Sequence, residues 1–211
     1  MRVSVISLDF AGVIAPKDFI DFFWFFVIPK RVARLERIPL YEAIKYVDRE
    51  YWSVPTDSLD WYLPRFWLER FGIDADESDL IEEALEFAEP FGDALEAIPA
   101  LGLRYRIIIS TNTPSSFVEG FLKRYPQIGA WIEGIYSCID MLNKPRKDRE
   151  FFMEVARAVG ANVSEVLHVG DNPQSDYVEA KAAGMRAILI DRSSRCSSAV
   201  SNLYQLLEVL L

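Results

Sequence analysis

A chain of 211 residues that is 51% hydrophobic and 26% charged can bury a sizeable core, and its length suits one domain with an insertion better than two independent domains. A formal net charge of −9 and a pI near 4.8 argue against a nucleic-acid partner, since phosphate backbones call for clustered lysine and arginine. Cys138 and Cys196 stand far apart with no metal-spaced partner, which suits free thiols in a cytoplasmic setting.

Val3–Leu8 is short and rich in β-branched residues, so it reads as a strand buried on both faces, with Asp9 at its carboxyl end. It is too brief and too strand-like for a signal peptide. The most apolar stretch, Phe19–Ile28, carries Asp21 and stops at Pro29, well below the ~20 residues a membrane-spanning helix needs, and reads as a buried or interface helix. From position 16 to 89 the pattern is helical and dense in aromatics, including Trp24, Trp52, Trp61 and Trp67, with breaks at Pro29, Pro39, Pro55 and Pro64. That segment is expected to be a helical insertion.

After Pro90-Phe91-Gly92-Asp93, strands are predicted over Tyr105–Ile109, Ile135–Ile139, Val166–Val169 and Ala187–Ile190, in alternation with helices. Such alternation implies α/β architecture with a doubly wound parallel sheet, built from residues 1–15 and 90–211. Thr113 is placed as a helix cap with Pro114 as the first helical residue, and Gly160 and Gly184 as helix ends of positive φ. Ser193–Ser198 reads as a polar loop before a last helix, Val200 to Leu210. His168, the single histidine, falls inside a strand and is expected to be a packed core residue.

Ligands of open α/β sheets bind at the carboxyl ends of the strands, so the residues there carry the argument. The ends are Asp9-Phe10-Ala11-Gly12-Val13, Ser110-Thr111-Asn112 and Gly170-Asp171-Asn172-Pro173-Gln174-Ser175-Asp176, with Lys144-Pro145 in a loop between the last two. A carboxylate can attack phosphorus and split one hard hydrolysis into two easier steps. Clustered carboxylates repel one another, and a hard cation with oxygen ligands, helped by a lysine, would let them stay ionised.

These four motifs, in this order, resemble those of the haloacid dehalogenase-like hydrolase superfamily. The resemblance covers residues 1–15 and about 90–192, and it implies a Rossmann-like core with residues 16–89 forming a helical cap over the strand ends. It implies Asp9 as nucleophile and Mg²⁺ ligand, the Ala11 carbonyl as a ligand, and Asp171 and Asp176 on the metal side. Thr111 (with Ser110 as its rival), Asn112 and Lys144 become the phosphoryl contacts. The substrate implied is a small phosphorylated or phosphonate metabolite; a homodimer is compatible with the aromatic insertion.

One position departs from the phosphatase pattern. The family's acid and base, an Asp two residues after the nucleophile, is Ala11 here, and a positioned acid or base is commonly worth about 10²–10⁴ in rate. Three readings follow: a phosphatase for activated esters, a silent ligand-binding protein, or a phosphonatase-like enzyme whose Schiff-base lysine would be Lys45. The dehalogenase branch needs no cation, whereas Asp171 and Asp176 point to one.

Overall fold

The computed structural model describes residues 2–210. The chain forms two compact units; one ends at Pro16 and resumes at Glu89, and the other spans Lys17–Ala88.

The first unit is the expected doubly wound α/β structure, a parallel sheet in the order β3-β2-β1-β4-β5. Its strands are β1 (Val5–Leu8), β2 (Arg106–Thr111), β3 (Ile132–Ser137), β4 (Val166–Gly170) and β5 (Arg186–Leu189). All four residues of β1 are buried, as a central parallel strand with both neighbours present requires. Leu8 stands opposite Ile109 on one side and Val169 on the other, so β2 runs on to Thr111 and β4 to Gly170 just beyond the end of β1. The chain fills one side of β1 with β2 and β3, then crosses to β4 and β5, and Asp9 emerges at that switch point.

Several predicted boundaries change: β2 runs on to Thr111, and the last helix starts at Leu203 rather than Val200. β3 starts at Ile132, three residues early, and gives way to a helix at Cys138. A bulge opposite Ile107 and Ile108 absorbs Glu133, and Gly134 weakens the strand pattern, so the start was masked. Pro114 occupies the cap position rather than the first helical one; the helix is Ser115–Arg124, and Asp140 Oδ2 accepts the Ser115 N–H at 2.7 Å. Pro29 does not stop its helix. Residues Phe23–Val27 make a π turn in which the Ile28 N–H reaches the Phe23 carbonyl, and Pro29 then opens the helix Ile28–Glu36, where its missing N–H costs little. Gly160 and Gly184 do take positive φ, 68° and 98°.

The second unit is helical and centred on Trp67, which is fully buried. Its ring meets Tyr51 edge-on at 4.6 Å and stacks on Phe71 at 5.8 Å, while its Nε1 donates to the Trp61 carbonyl. Such rings supply most of a small helical core. Among the described residues, no helix is long and apolar enough to cross a membrane.

Candidate active site

Asp9 is the first residue beyond β1. Its backbone N–H donates to the Val169 carbonyl at 2.8 Å, which carries the β1–β4 pairing to the last possible residue. Its Oδ1 accepts the Phe10 N–H at 2.8 Å, and Phe10 is anchored by full burial against the edge of Phe121. The chain then turns sharply: the Gly12 N–H donates to the Ala15 carbonyl at 2.7 Å, with Gly12 at φ 91°. A Cβ at Gly12 would run into the Asp171 carboxylate, and one at Gly170 into that of Asp176. Glycine at these two positions is what admits the two carboxylates so close to the backbone.

Arg192, just past β5, fixes this loop from outside. Its Nε donates to the Gly12 carbonyl at 3.1 Å and its Nη2 to that of Val13 at 2.5 Å, while Nη1 pairs with buried Asp93 at 3.0 Å. The guanidinium also lies 3.6 Å from the centre of the Phe91 ring. A planar, rigid donor fork suits a clamp of this kind.

Asp171 follows β4, and a π turn over Pro173–Val178 brings Asp176 back beneath it. Asn172 organises that turn twice: its Oδ1 accepts the N–H groups of Gln174 and Ser175, and its own N–H donates to Asp176 Oδ2 at 2.8 Å. Carboxylate oxygens of Asp9, Asp171 and Asp176 all lie within 4.8 Å of one another. Lys147 joins two of them, with Nζ 2.8 Å from Asp9 Oδ2 and 2.5 Å from Asp176 Oδ1, its side chain 2% exposed.

The charges follow from these contacts. Burial lifts the Asp9 carboxyl above its ordinary range; Lys147 opposes that, and Asp176 and Asp171 reinforce it. Burial works against the Lys147 ammonium, but Asp9 and Asp176 outweigh it and push the group above its ordinary value. Burial opposes ionisation of Asp176 too, and there Lys147 and His168 prevail, holding it well below the usual carboxylate range. Three carboxylates thus face one ammonium, and Lys147 Nζ has no well-directed hydrogen bond to either partner. An excess of two negative charges on converging hard oxygens fits one divalent cation of the magnesium kind.

The lysine expected here was Lys144, and the structure gives that place to Lys147. Asn143 takes a left-handed conformation, φ 53°, and the Lys144 N–H folds back onto the Cys138 carbonyl. This sends Lys144 outward to Asp148 and Glu150, at 2.7 and 2.5 Å. The overlooked signal was the helix start: Asp148 caps Arg149–Ala158 by accepting the Phe151 N–H, and Lys147 directly precedes that cap. Lys147→Met is expected to cost about 3–5 kcal/mol, because it leaves buried carboxylates uncompensated. Lys144→Met, which removes two solvent-accessible ion pairs at the surface, should stay within about 1–2 kcal/mol of the parent. Urea midpoints of the two variants check this.

The second strand end separates the two hydroxyl candidates. Ser110 and Thr111 alternate to opposite faces of β2. Ser110 Oγ is engaged with Ser7 Oγ at 2.7 Å inside the sheet, whereas Thr111 ends the strand and its Oγ1 accepts the Thr113 N–H at 3.1 Å. Asn112 is next, half-buried. Lys45 is exposed on the helix Leu40–Tyr51, 5.7 Å from the Tyr41 ring centre. Cys138 is buried, which pushes its thiol up to about 12 and removes it as a nucleophile at neutral pH.

The family model of haloacid dehalogenase-like hydrolases matches residues 3–184. The chain is 25% identical over 174 residues to the GMP/IMP nucleotidase YrfG of Escherichia coli (strain K12), a stretch covering 81% of this chain and 75% of that protein. In fold it is similar to a HAD phosphatase from Thermococcus onnurineus, at TM-score 0.79 and 22% identity over 100% and 98% of the two chains. It is also similar to the HAD-hydrolase YfnB of Bacillus subtilis, solved bound to magnesium, at TM-score 0.68 and 18% identity over 100% and 99%. The family match runs through every residue of the cluster, from Asp9 to Asp176, and the chain belongs to the haloacid dehalogenase-like hydrolases.

Proposed function

We propose that this protein is a magnesium-dependent hydrolase of a small phosphorylated metabolite, working through a phosphorylated Asp9. The observation that carries the reading is Lys147 held between Asp9 and Asp176 in a cluster of three carboxylates, an arrangement that binds phosphate only when a cation is added. Asp9, Asp171, Asp176 and the Ala11 carbonyl would hold Mg²⁺. Once bound, the ion would polarise the phosphoryl oxygens and screen them from the carboxylates.

An Asp9 oxygen attacks phosphorus, the bond from phosphorus to the ester oxygen breaks, and the departing oxygen takes its proton from solvent. Water then attacks the phosphorus of the acyl-phosphate, releasing inorganic phosphate and restoring the carboxylate. Lys147 favours the ionised form of the Asp9 carboxylate and aims it, and the Thr111 hydroxyl and Asn112 amide bind the transferring group. With Ala11 in the acid and base position, esters of good leaving groups are favoured.

Nucleoside monophosphates head the substrate panel, since the Escherichia coli relative is named for GMP and IMP. Sugar phosphates, an aryl phosphate and phosphonoacetaldehyde complete it. Phosphate release from at least one ester is expected, lost on chelation with EDTA and restored by excess Mg²⁺. No Mg²⁺-dependent release across the panel would overturn the reading in favour of a silent binding protein.

A further inference from the structure

His168 was expected to be an inert core residue, and it is fully buried with its ring 4.7 Å from that of Phe152. Both ring nitrogens are nevertheless used. Nδ1 lies 2.9 Å from Ser7 Oγ, and Nε2 lies 3.2 Å from Asp176 Oδ1, the oxygen that also meets Lys147 Nζ. The β1–β4 register sets Ser7 directly opposite His168, and the Ser7 hydroxyl donates to Ser110 Oγ on the neighbouring β2. A buried chain of polar groups therefore runs from Ser110 through Ser7, His168, Asp176 and Lys147 to Asp9. Every member is at most 4% exposed. An ionised carboxylate can only accept, so a contact between Nε2 and Asp176 needs the hydrogen on Nε2.

We infer that His168 is a positioning residue: with Ser7 fixing its other nitrogen, it holds the Asp176 carboxylate, and through it Lys147, in register with Asp9. Without the imidazole, Asp176 Oδ1 keeps only the flexible lysine, and the Lys147 ammonium loses the fixed anchor that aims it at Asp9. The kinetic consequence rests on the hydrolase reading above; the geometric one does not. Partners that orient the groups around a metal or reacting centre commonly matter about 10–100-fold without touching substrate.

The single histidine makes the test direct. In protein labelled with ¹⁵N-histidine, long-range ¹⁵N–¹H spectra of the single imidazole should show a hydrogen on Nε2; a bare Nε2 would overturn the inference whatever the activity. His168→Phe keeps a ring against Phe152, and His168→Gln returns an amide donor near the place of Nε2. The Phe variant should lose about 10–100-fold in kcat with KM nearly unchanged, and the Gln variant should recover most of it. A folded Phe variant with native kcat, or two variants that merely unfold more easily at native kcat, sinks the idea. If the Phe variant does not fold, the spectrum of the native chain decides. If the native chain turns over nothing, the hydrolase reading fails on its own. Mg²⁺ affinity by calorimetry then replaces kcat, with about a 10–100-fold loss expected in the Phe variant and no loss as the contrary result.

Discussion

Asp9→Asn is expected to reduce Mg²⁺-dependent phosphate release by at least about 10⁴-fold, because the neutral amide neither attacks phosphorus nor binds the cation as a carboxylate does. The same substitution should leave the metal-free protein as stable as the parent or more stable. The reason lies in the sign of the Asp9 shift. Burial raises its carboxyl above the unfolded value, so the folded state holds the proton more tightly and loses stability as pH rises through the interval between the two values. Asparagine is never charged and avoids that loss, and Lys147 still has Asp176 as a partner. Thermal unfolding in EDTA at pH 7 and at pH 4.5 should show the gap between variant and parent widening with pH. A variant that unfolds well below the parent at pH 7 would contradict this account, as would one that retains turnover. Activity and stability are thus expected to pull in opposite directions at this residue, as they commonly do where a functional charge is kept buried.

Ala11→Asp is expected to raise turnover of alkyl phosphates by about 10²–10⁴-fold, the usual worth of a positioned acid and base. The backbone around Ala11 is already fixed by groups other than its side chain: the Gly12 N–H is bonded to Ala15, and Arg192 holds the carbonyls of Gly12 and Val13. Ala11 itself is partly exposed, so a new carboxylate there stays hydrated and need not disturb the fold. The gain should be much smaller for aryl phosphates, whose leaving groups depart without a proton. Rates for one alkyl and one aryl ester, measured in both proteins, give a ratio of ratios. Equal gains on the two esters, or none, would mean that position 11 is not where the proton is handled.

The sheet and the carboxylate cluster were legible because strand ends in a parallel sheet are marked by abrupt changes of residue type. Asp9 follows an apolar run, Asp171 follows a glycine, and Gly12 and Gly170 announce backbone that must come close to something. Lys147 was only faintly legible: the Asp148 cap marks the helix start just after it, but choosing it over Lys144 depends on one left-handed residue, Asn143, which turns the loop. The part played by His168 needed the register of β1 against β4, which no local pattern contains. In retrospect there was a hint: Ser7 and His168 are polar residues inside strands that are otherwise apolar, and buried polar groups are seldom left without partners. The three-residue shift of β3 and the continuation through Pro29 share one cause, since a bulge and a π turn each add a residue that periodicity cannot anticipate.

The central place of β1 has a consequence for the order in which the molecule comes into being. The strand that leads into Asp9 is flanked by β2 and β4, whose partner residues lie far downstream and begin at Arg106 and Val166. At the usual pace of synthesis, Asp9 leaves the ribosome on the order of ten seconds before Lys147 exists. During that interval the strand has no sheet to join, and its apolar residues must wait for sequence-distant partners, which slows folding and exposes the nascent chain to unwanted pairing. The aromatic helices of Lys17–Ala88 are local and can form meanwhile. Asp9 is thus made well before the two buried groups that meet around it, Lys147 and Asp176, so no partly made chain carries the assembled cluster.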